Sequence, residues 1–220
     1  MTQRVVIPAS KVIAVDGIAL RSLALVEPCS VGFHAVRRSE LAATETVFIM
    51  GCGMIGLGAL LGARRRGATI IAFDLSDDKL AVARSLGAHA TINAGDPNWR
   101  AKLSAIAPEG PDVAIEAVRA EATFLQAVEV AASCGRVVYI GYAKNAITYD
   151  TKTFITKELD IRGSRNALID DFRDVIEQLR ANPDVADRVI SRIVPLAEAP
   201  AALAEWNRDP GGYTKILVEI

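Results

Sequence analysis

The apolar and polar positions of the chain alternate between short apolar runs and segments of helical character. The apolar runs predict six strands, at residues 47–50, 69–73, 91–93, 112–116, 135–141 and 159–163. Helices are predicted between them, the clearest at residues 76–87, 98–107, 120–133 and 151–157. Parallel strands need crossover connections of this kind, which cover both faces of their sheet with helices. The pattern therefore predicts an α/β fold centred on a doubly wound, parallel, six-stranded sheet.

The two ends of the chain show a different pattern. Residues 4–15 are largely apolar but interrupted by Pro8, which cannot donate to a strand ladder, so they predict two short strands. Two helices should follow, at residues 22–26 and 30–39, separated at Glu27-Pro28. Later elements are predicted as helix, strand, helix and strand, at residues 170–181, 188–194, 197–208 and 214–220. Because the six-stranded pattern is complete by residue 168, a boundary is predicted there.

The first strand runs directly into the motif Gly-x-Gly-x-x-Gly. Its glycines are Gly51, Gly53 and Gly56, and Met54 and Ile55 fill the last gap. Gly51 would permit the tight turn, Gly53 would let a pyrophosphate approach the backbone, and Gly56 would let helix and strand pack closely. The N-terminus of the next helix would offer unpaired N–H groups to the phosphates. These five residues are therefore predicted to bind a dinucleotide.

An acidic residue follows the second strand at the spacing that such a site requires. Asp74 comes about 20 residues after the glycine motif, where a carboxylate can accept hydrogen bonds from a ribose. A carboxylate there also repels a 2′-phosphate, so NAD is favoured over NADP. The basic run 64–66 lies at the far end of the intervening helix, about 15 Å from the phosphates. It is interpreted as a solvated helix end, where cations are favourable.

Composition and charge exclude several classes of partner. The chain of 220 residues is 51% hydrophobic and 23% charged, with a net charge of −1, which gives no reason to expect nucleic acid or an anionic membrane. No apolar run approaches the length of a membrane span, and no signal-peptide pattern begins the chain. Three scattered cysteines are typical of reduced thiols rather than a disulfide framework. A cytoplasmic protein is expected.

Four stretches carry a resemblance to a known family. Residues 25–38, which read Leu-Val-Glu-Pro-Cys-Ser-Val-Gly-Phe-His-Ala-Val-Arg-Arg, resemble the segment before the cofactor domain of zinc-dependent medium-chain dehydrogenases, especially the sorbitol and threonine dehydrogenase branch. Residues 72–80, 157–164 and 212–215 extend the resemblance over nearly the whole chain. It implies hydride transfer between a secondary alcohol, or polyol, and NAD, with zinc polarising the alcohol oxygen.

The resemblance also implies a division of the chain. Members of this family are longer, and their N-terminal segment carries a GroES-like catalytic domain with the zinc ligands. Residues 1–27 are accordingly expected to be a remnant of that domain, 28–168 the dinucleotide-binding domain, and 169–220 a segment returning to the catalytic domain. The two histidines and three cysteines show no ligand spacing, so the zinc ligands are expected to be absent. Alcohol oxidation by these 220 residues alone is therefore not expected.

Two residues are assigned to the reaction by resemblance. Glu27 corresponds to a glutamate that faces the zinc site in polyol dehydrogenases, and the alternative is a helix-terminal carboxylate. Its position before Pro28 predicts an extended backbone. Arg165 follows the sixth strand, where the carboxyl ends of parallel strands line a crevice. The resemblance suggests that it contacts substrate or zinc-bound water, and the alternative is a solvated loop arginine.

Further cofactor contacts are expected on the loops around the motif. They are assigned to Leu75, Lys79, Val118, Ile140 and Gly141. Position 119 departs from the family pattern, because an arginine stands where a glycine is common. A bulky cationic side chain at this position would alter the local geometry on the nicotinamide side of the site.

The sequence leaves two alternative functions open and also predicts self-association. The chain could be an NAD-binding module without catalysis, or a zinc-free reductase of the quinone type, although that branch prefers NADPH and Asp74 argues against it. A homo-oligomer is expected on two separate grounds. Strands at 4–15 and 189–194 would have unpaired edges, and strand 159–163 would lie at the edge through which family members tend to dimerise.

Overall fold

The computed structural model describes residues 4–220, and its centre is a parallel sheet of six strands. The strands are β1 (Thr46–Met50), β2 (Thr69–Asp74), β3 (Ala90–Asn93), β4 (Val113–Glu116), β5 (Arg136–Tyr139) and β6 (Asp160–Gly163). Their spatial order is β3-β2-β1-β4-β5-β6. The chain thus builds outward from β1 in one direction, then returns and builds outward in the other, which is the doubly wound arrangement predicted.

Helices connect the strands and flank the sheet. They are α1 (Leu20–Leu23), α2 (Val26–Ser39), α3 (Met54–Arg66), α4 (Asp77–Ser85), α5 (Trp99–Ile106), α6 (Glu121–Val130), α7 (Thr151–Thr156), α8 (Ile169–Ala181), α9 (Val185–Val189) and α10 (Ala199–Arg208). Helix α4 begins where the sequence predicted, because the Ser76 hydroxyl accepts a hydrogen bond from the Lys79 amide. Within the described residues, no helix combines the length and hydropathy needed to cross a membrane.

The continuous apolar character of the strands follows from burial on both faces of the sheet. In β1, Val47 and Ile49 pack into the core on the face of α2, α3 and α8. The alternate residues Phe48 and Met50 pack into a second core on the opposite face, with Trp99 of α5. Since successive side chains point to opposite faces, a strand buried on both sides must be apolar at every position. This explains why apolar runs, rather than alternating patterns, mark the central strands β1, β2 and β4.

Residues 4–15 contradict the prediction of two strands. They contain a single 3₁₀ turn at Ala9–Lys11 and no strand. Their apolar side chains are largely exposed, Val6 to 99%. No other strand of the described chain lies beside them, and a strand without a partner cannot satisfy its backbone. The remaining expected strands are β7 (Ile190–Pro195) and β8 (Lys215–Glu219), which pair in parallel as a separate two-stranded sheet. Residues 1–3, which begin the predicted segment 1–27, lie outside the described residues.

The predicted helix break at Glu27-Pro28 is also wrong. Helix α2 begins at Val26 and runs through both residues. Proline is compatible with the first turn of a helix, because the amide that it lacks would have no intrahelical acceptor there. Glu27 is therefore helical and exposed, not extended. The preference against a helical residue before proline is overridden because the buried face of α2 packs against α3 and α8.

Helix α8 is held on α2 by a buried carboxylate. Asp171 is 1% exposed and accepts hydrogen bonds from Arg37 at 2.7 Å and from the Leu168 amide at 2.8 Å, while His34 Nδ1 lies 2.8 Å from it. Val175 of α8 adds apolar burial in the same core. The first helix beyond residue 168 thus packs on the same face of the sheet as α2 and α3.

Candidate functional site

The glycine motif forms the turn between β1 and α3. Gly51 has a φ of +96°, a conformation that glycine adopts without strain, and its amide donates to the Phe73 carbonyl at 2.7 Å. A Cβ on Gly56 would lie 1.8 Å from the Gly51 carbonyl oxygen, so only glycine fits there. A Cβ on Gly53 would meet no atom of the chain. The backbone at Gly53 is therefore open to a ligand at the N-terminus of α3.

The carboxylate of Asp74 lies beside this turn. One oxygen accepts the Cys52 amide at 2.7 Å and the other accepts the Ser76 amide at 2.9 Å. These two bonds fix the orientation of the half-buried side chain between the ends of β1 and β2. Each carboxylate oxygen can accept more than one hydrogen bond, so both retain capacity for the hydroxyl groups of a ribose.

The loop after β4 faces the glycine turn across the point where the strand order reverses. Glu116, at the end of β4, is fully buried. Its Oε1 accepts hydrogen bonds from the amides of Val118 and Arg119, at 2.8 and 2.7 Å, and from the Thr123 hydroxyl at 2.8 Å. The carboxylate thus orders residues 117–119. Ligands of doubly wound sheets bind in the crevice at such a reversal, here between β1 and β4.

Two cavities open on this crevice. The larger, of about 390 Å³, is lined by Val31, Gly53, Met54, Ile55, Ala117, Arg119, Ile140, Gly141, Tyr142, Ser164, Arg165 and Asn166. The smaller, of about 270 Å³, is lined by Phe73, Asp74, Leu75, Ala94, Val118, Ala120, Ala122, Thr123 and Gln126. The loop 117–119 borders both. An extended ligand with one end in each cavity would therefore pass the glycine turn in its middle.

Most of the residues assigned from the sequence meet in these cavities. Gly53, Met54, Ile55, Ile140, Gly141 and Arg165 line the larger, and Asp74, Leu75 and Val118 line the smaller. Gly51 and Gly56 shape the turn beneath them. Lys79 lines neither, because its ammonium donates to the Pro210 carbonyl at 2.9 Å. Glu27 also lines neither, but it lies one helical turn before Val31, which does.

The sequence reasoning missed several residues of the larger cavity. Tyr142, Ser164 and Asn166 follow β5 and β6 and were not assigned. Their signal was available, since polar residues directly after parallel strands reach the same edge of the sheet. Arg119 was noted only as a departure from a family pattern. Its backbone φ of +73° is visible only in the structure.

The residues of the crevice are suited neither to thiol chemistry nor to metal binding. Burial raises the pKa of Cys52, with the neighbouring Asp74 acting in the same direction, so the thiol is neutral near pH 7. Residues 4–220 contain no group of three or more His, Cys, Asp or Glu side chains that could hold a metal ion. The described residues therefore do not fit a zinc site.

A doubly wound sheet with an open glycine turn and a carboxylate after the second strand defines a dinucleotide-binding protein of the α/β class. Residues 55–181, more than half of the chain, match the family model described as zinc-binding dehydrogenase. The chain belongs to this family.

Comparison with individual proteins agrees with that assignment. The chain is 32% identical over 204 residues to 2-dehydro-3-deoxy-L-galactonate 5-dehydrogenase of Pseudoalteromonas atlantica, covering 92% of this chain and 59% of the relative. It is 29% identical to D-xylulose reductase of Saccharomyces cerevisiae, covering 93% and 59%. The crystal structure of 2R,3R-butanediol dehydrogenase from Bacillus subtilis superposes with a TM-score of 0.85 at 26% identity, covering 93% and 59%. The chain thus spans 59% of the length of each of these proteins.

Proposed function

We propose that this chain binds NAD in the crevice between β1 and β4 and supplies the cofactor half of an alcohol or polyol dehydrogenase. The observation that carries the proposal is the pair of cavities that meet at the glycine turn, with Asp74 in the smaller one. The diphosphate would lie over Gly53 at the N-terminus of α3, where no Cβ obstructs its approach. The adenosine ribose would bind the Asp74 carboxylate, and the nicotinamide half would occupy the larger cavity.

The reaction that we propose is hydride transfer between a secondary alcohol and NAD. The names of the relatives, two dehydrogenases and a reductase, support an oxidoreductase acting on an alcohol, polyol or sugar acid. NAD, when bound, supplies the hydride acceptor. Arg165, exposed in the larger cavity, is proposed to contact the substrate, and Glu27 to approach it from the exposed face of α2.

The division of the chain follows from the same proposal. Residues 28–168 would form the dinucleotide-binding unit, and 1–27 and 169–220 would connect it to the substrate domain of a complete enzyme. The exposed apolar side chains of residues 5–7 fit a contact with such a domain. The three cysteines are free, as is usual in a reducing compartment, so we propose a cytosolic location.

Cofactor choice is the first test of this proposal. The wild-type chain is expected to bind NADH more tightly than NADPH, because the Asp74 carboxylate accepts ribose hydroxyls and repels a 2′-phosphate. Asp74→Ala should weaken NADH binding by about 1–3 kcal/mol, the range for a hydrogen bond to a charged group, and narrow the difference between the cofactors. Fluorescence titration of both cofactors measures this without requiring turnover.

The matched control for Asp74→Ala is Asp78→Ala. Asp78 is an exposed carboxylate four residues further on, in the first turn of α4, and it lines neither cavity. Its replacement should leave both cofactor affinities within about twofold, a free energy of about 0.4 kcal/mol. Equal affinities for NADH and NADPH in the wild type would refute the role of Asp74 and favour a quinone-type reductase.

We also propose a homodimer formed through β6. This strand is the edge of the six-stranded sheet, and Ile161 on it is 42% exposed. The amides of Asp160 and Ser164 donate hydrogen bonds to carbonyl groups next to or within β5. The amide of Ile161, which lies between them, therefore points away from the sheet, where a backbone carbonyl of a second β6 could accept a hydrogen bond from it. Residues 4–15 form no strand, so they offer no strand edge for association, and β7 pairs with β8.

Proline at position 161 tests this dimer. Ile161→Pro removes the outward donor without removing a bond to β5, so a dimeric wild type should become monomeric. Ile161→Ala keeps the amide and serves as the control, with dimerisation weakened but retained. Light scattering measures the mass of each variant. A monomeric wild type, or an unchanged dimer of Ile161→Pro, would rule out pairing through this edge.

A further inference from the structure

The loop after β4 packs directly against the glycine turn. A Cβ on Gly51 would lie 2.9 Å from Cγ2 of Val118 and 3.2 Å from the backbone of Ala117. The next residue, Arg119, lines the larger cavity together with Gly53, the residue whose backbone is open to a ligand. Arg119 therefore stands across the crevice from the N-terminus of α3.

The guanidinium of Arg119 forms no hydrogen bond or ion pair with any other group of residues 4–220. Among the arginines of residues 4–220, it shares this property with Arg66 and Arg165, and the others form ion pairs, hydrogen bonds or an equivalent contact. Two of these three line the same cavity, and no Asp or Glu is among the residues that line it. The cavity thus presents two guanidinium groups, with the buried Glu116 carboxylate behind Arg119, and suits an anion.

The backbone of Arg119 adopts a conformation that residues with a side chain rarely adopt. Its φ of +73° lies in the left-handed region, which a glycine would adopt without strain. The buried carboxylate of Glu116 fixes this conformation through the Arg119 amide. Strained residues that the surrounding structure holds in place cluster at ligand sites.

We propose that Arg119 binds the diphosphate of the cofactor. Strand β4, which Arg119 follows, lies directly beside β1, so Arg119 faces the turn that would hold the phosphates. Arg165 follows β6, two strands further out, and faces the other end of the cavity. A guanidinium binds phosphate oxygens through charge-assisted hydrogen bonds, and the N–H groups of α3 would contact the same anion from the opposite side. This inference rests on the proposed function, because it requires a dinucleotide in the crevice.

The test compares three ligands with three variants. NADH, ADP-ribose and adenosine are titrated into the full chain with wild-type sequence, Arg119→Gly and Arg119→Lys. Arg119→Gly should bind NADH and ADP-ribose about tenfold more weakly, and adenosine unchanged, because only the first two carry the diphosphate. The affinity of Arg119→Gly for NADH should also depend less on salt concentration than the affinity of the wild type does. Arg119→Lys should retain most of the affinity.

Two measurements separate this effect from misfolding and from a general change of charge. Arg119→Gly relieves the left-handed backbone, so its melting temperature should rise by about 2–4 °C. Arg66→Gln removes an unpaired guanidinium that lies at the far end of α3 and outside both cavities, and this variant should bind all three ligands like the wild type.

The outcomes distinguish this inference from the proposed function. Binding of neither NADH nor ADP-ribose by the wild type would refute the cofactor site itself. Normal binding by Arg119→Gly, or an equal loss in Arg66→Gln, would refute only the role of Arg119. A loss with NADH but not with ADP-ribose would also refute it, since Arg119 would then contact the nicotinamide half.

Discussion

Replacing Gly56 with alanine is expected to abolish tight cofactor binding and to destabilise the fold. The added Cβ would lie 1.8 Å from the Gly51 carbonyl oxygen and 2.9 Å from its carbonyl carbon. Both atoms belong to the backbone of the turn, so no side chain can move aside to make room. We expect the free energy of unfolding to fall by about 3 kcal/mol and the NADH affinity by about a hundredfold. Urea unfolding and fluorescence titration measure the two effects.

Gly53→Ala is the matched control for Gly56→Ala. The same methyl group is added three residues earlier, where it would meet no atom of the protein, and the φ of −71° at Gly53 suits alanine. Gly53 is the N-cap of α3, where alanine is less favourable than glycine, so the free energy of unfolding should fall by about 1 kcal/mol at most. NADH should nevertheless bind more weakly, because the methyl group occupies the space through which the diphosphate approaches. Wild-type NADH affinity in Gly53→Ala would show that the ligand does not lie there.

Replacing Asp171 with alanine should produce the largest loss of stability outside the site. This carboxylate is buried at the junction of α8 and α2. It accepts hydrogen bonds from the Arg37 guanidinium and the Leu168 amide, and it lies 2.8 Å from Nδ1 of His34. Its removal leaves several polar groups without their buried acceptor. Loss of one member of a buried charged network costs about 3–5 kcal/mol, and we expect about 3 kcal/mol here because Arg37 keeps Asp174 as a partner.

The neighbouring carboxylate provides the control for Asp171→Ala. Asp170 is exposed and pairs with the exposed Arg173 at 3.1 Å, so Asp170→Ala should cost less than about 0.5 kcal/mol. Urea midpoints with unchanged slopes would report stability alone. Equal effects of the two substitutions would mean that the buried network does not hold α8 to the sheet.

Local sequence patterns were sufficient to predict the six-stranded sheet and the glycine turn. The central strands β1, β2 and β4 are buried on both faces, so their apolar runs are a direct consequence of their place in the fold. The turn was predictable because the steric limits that require glycine at positions 51 and 56 come from backbone atoms only a few residues away. Asp74 was predictable for a similar reason, since the length of one helix and one strand sets its distance from the turn.

Residues whose environment comes from distant segments were harder to predict. Residues 4–15 have the composition of strands, yet a strand exists only where another lies beside it, and none does in the described chain. Glu27 was expected to be extended from a rule about the next residue, whereas packing of α2 on α3 and α8 decided the outcome. The contact between the Lys79 ammonium and the carbonyl of Pro210, far away in the sequence, was likewise visible only in the structure, and the role of Lys79 in binding a cofactor stays a prediction.

The sequence by itself determined the class of fold, and it predicted the position of a dinucleotide site and the acid that should select NAD. All three depend on spacing along one stretch of chain, where sterics and periodicity act locally. Only the tertiary structure decided which loops meet across the crevice, and therefore that Arg119 stands opposite the glycine turn without a partner among residues 4–220. The order of strands in the sheet brings β4 beside β1, and strand order is a property of packing between segments that no local pattern contains.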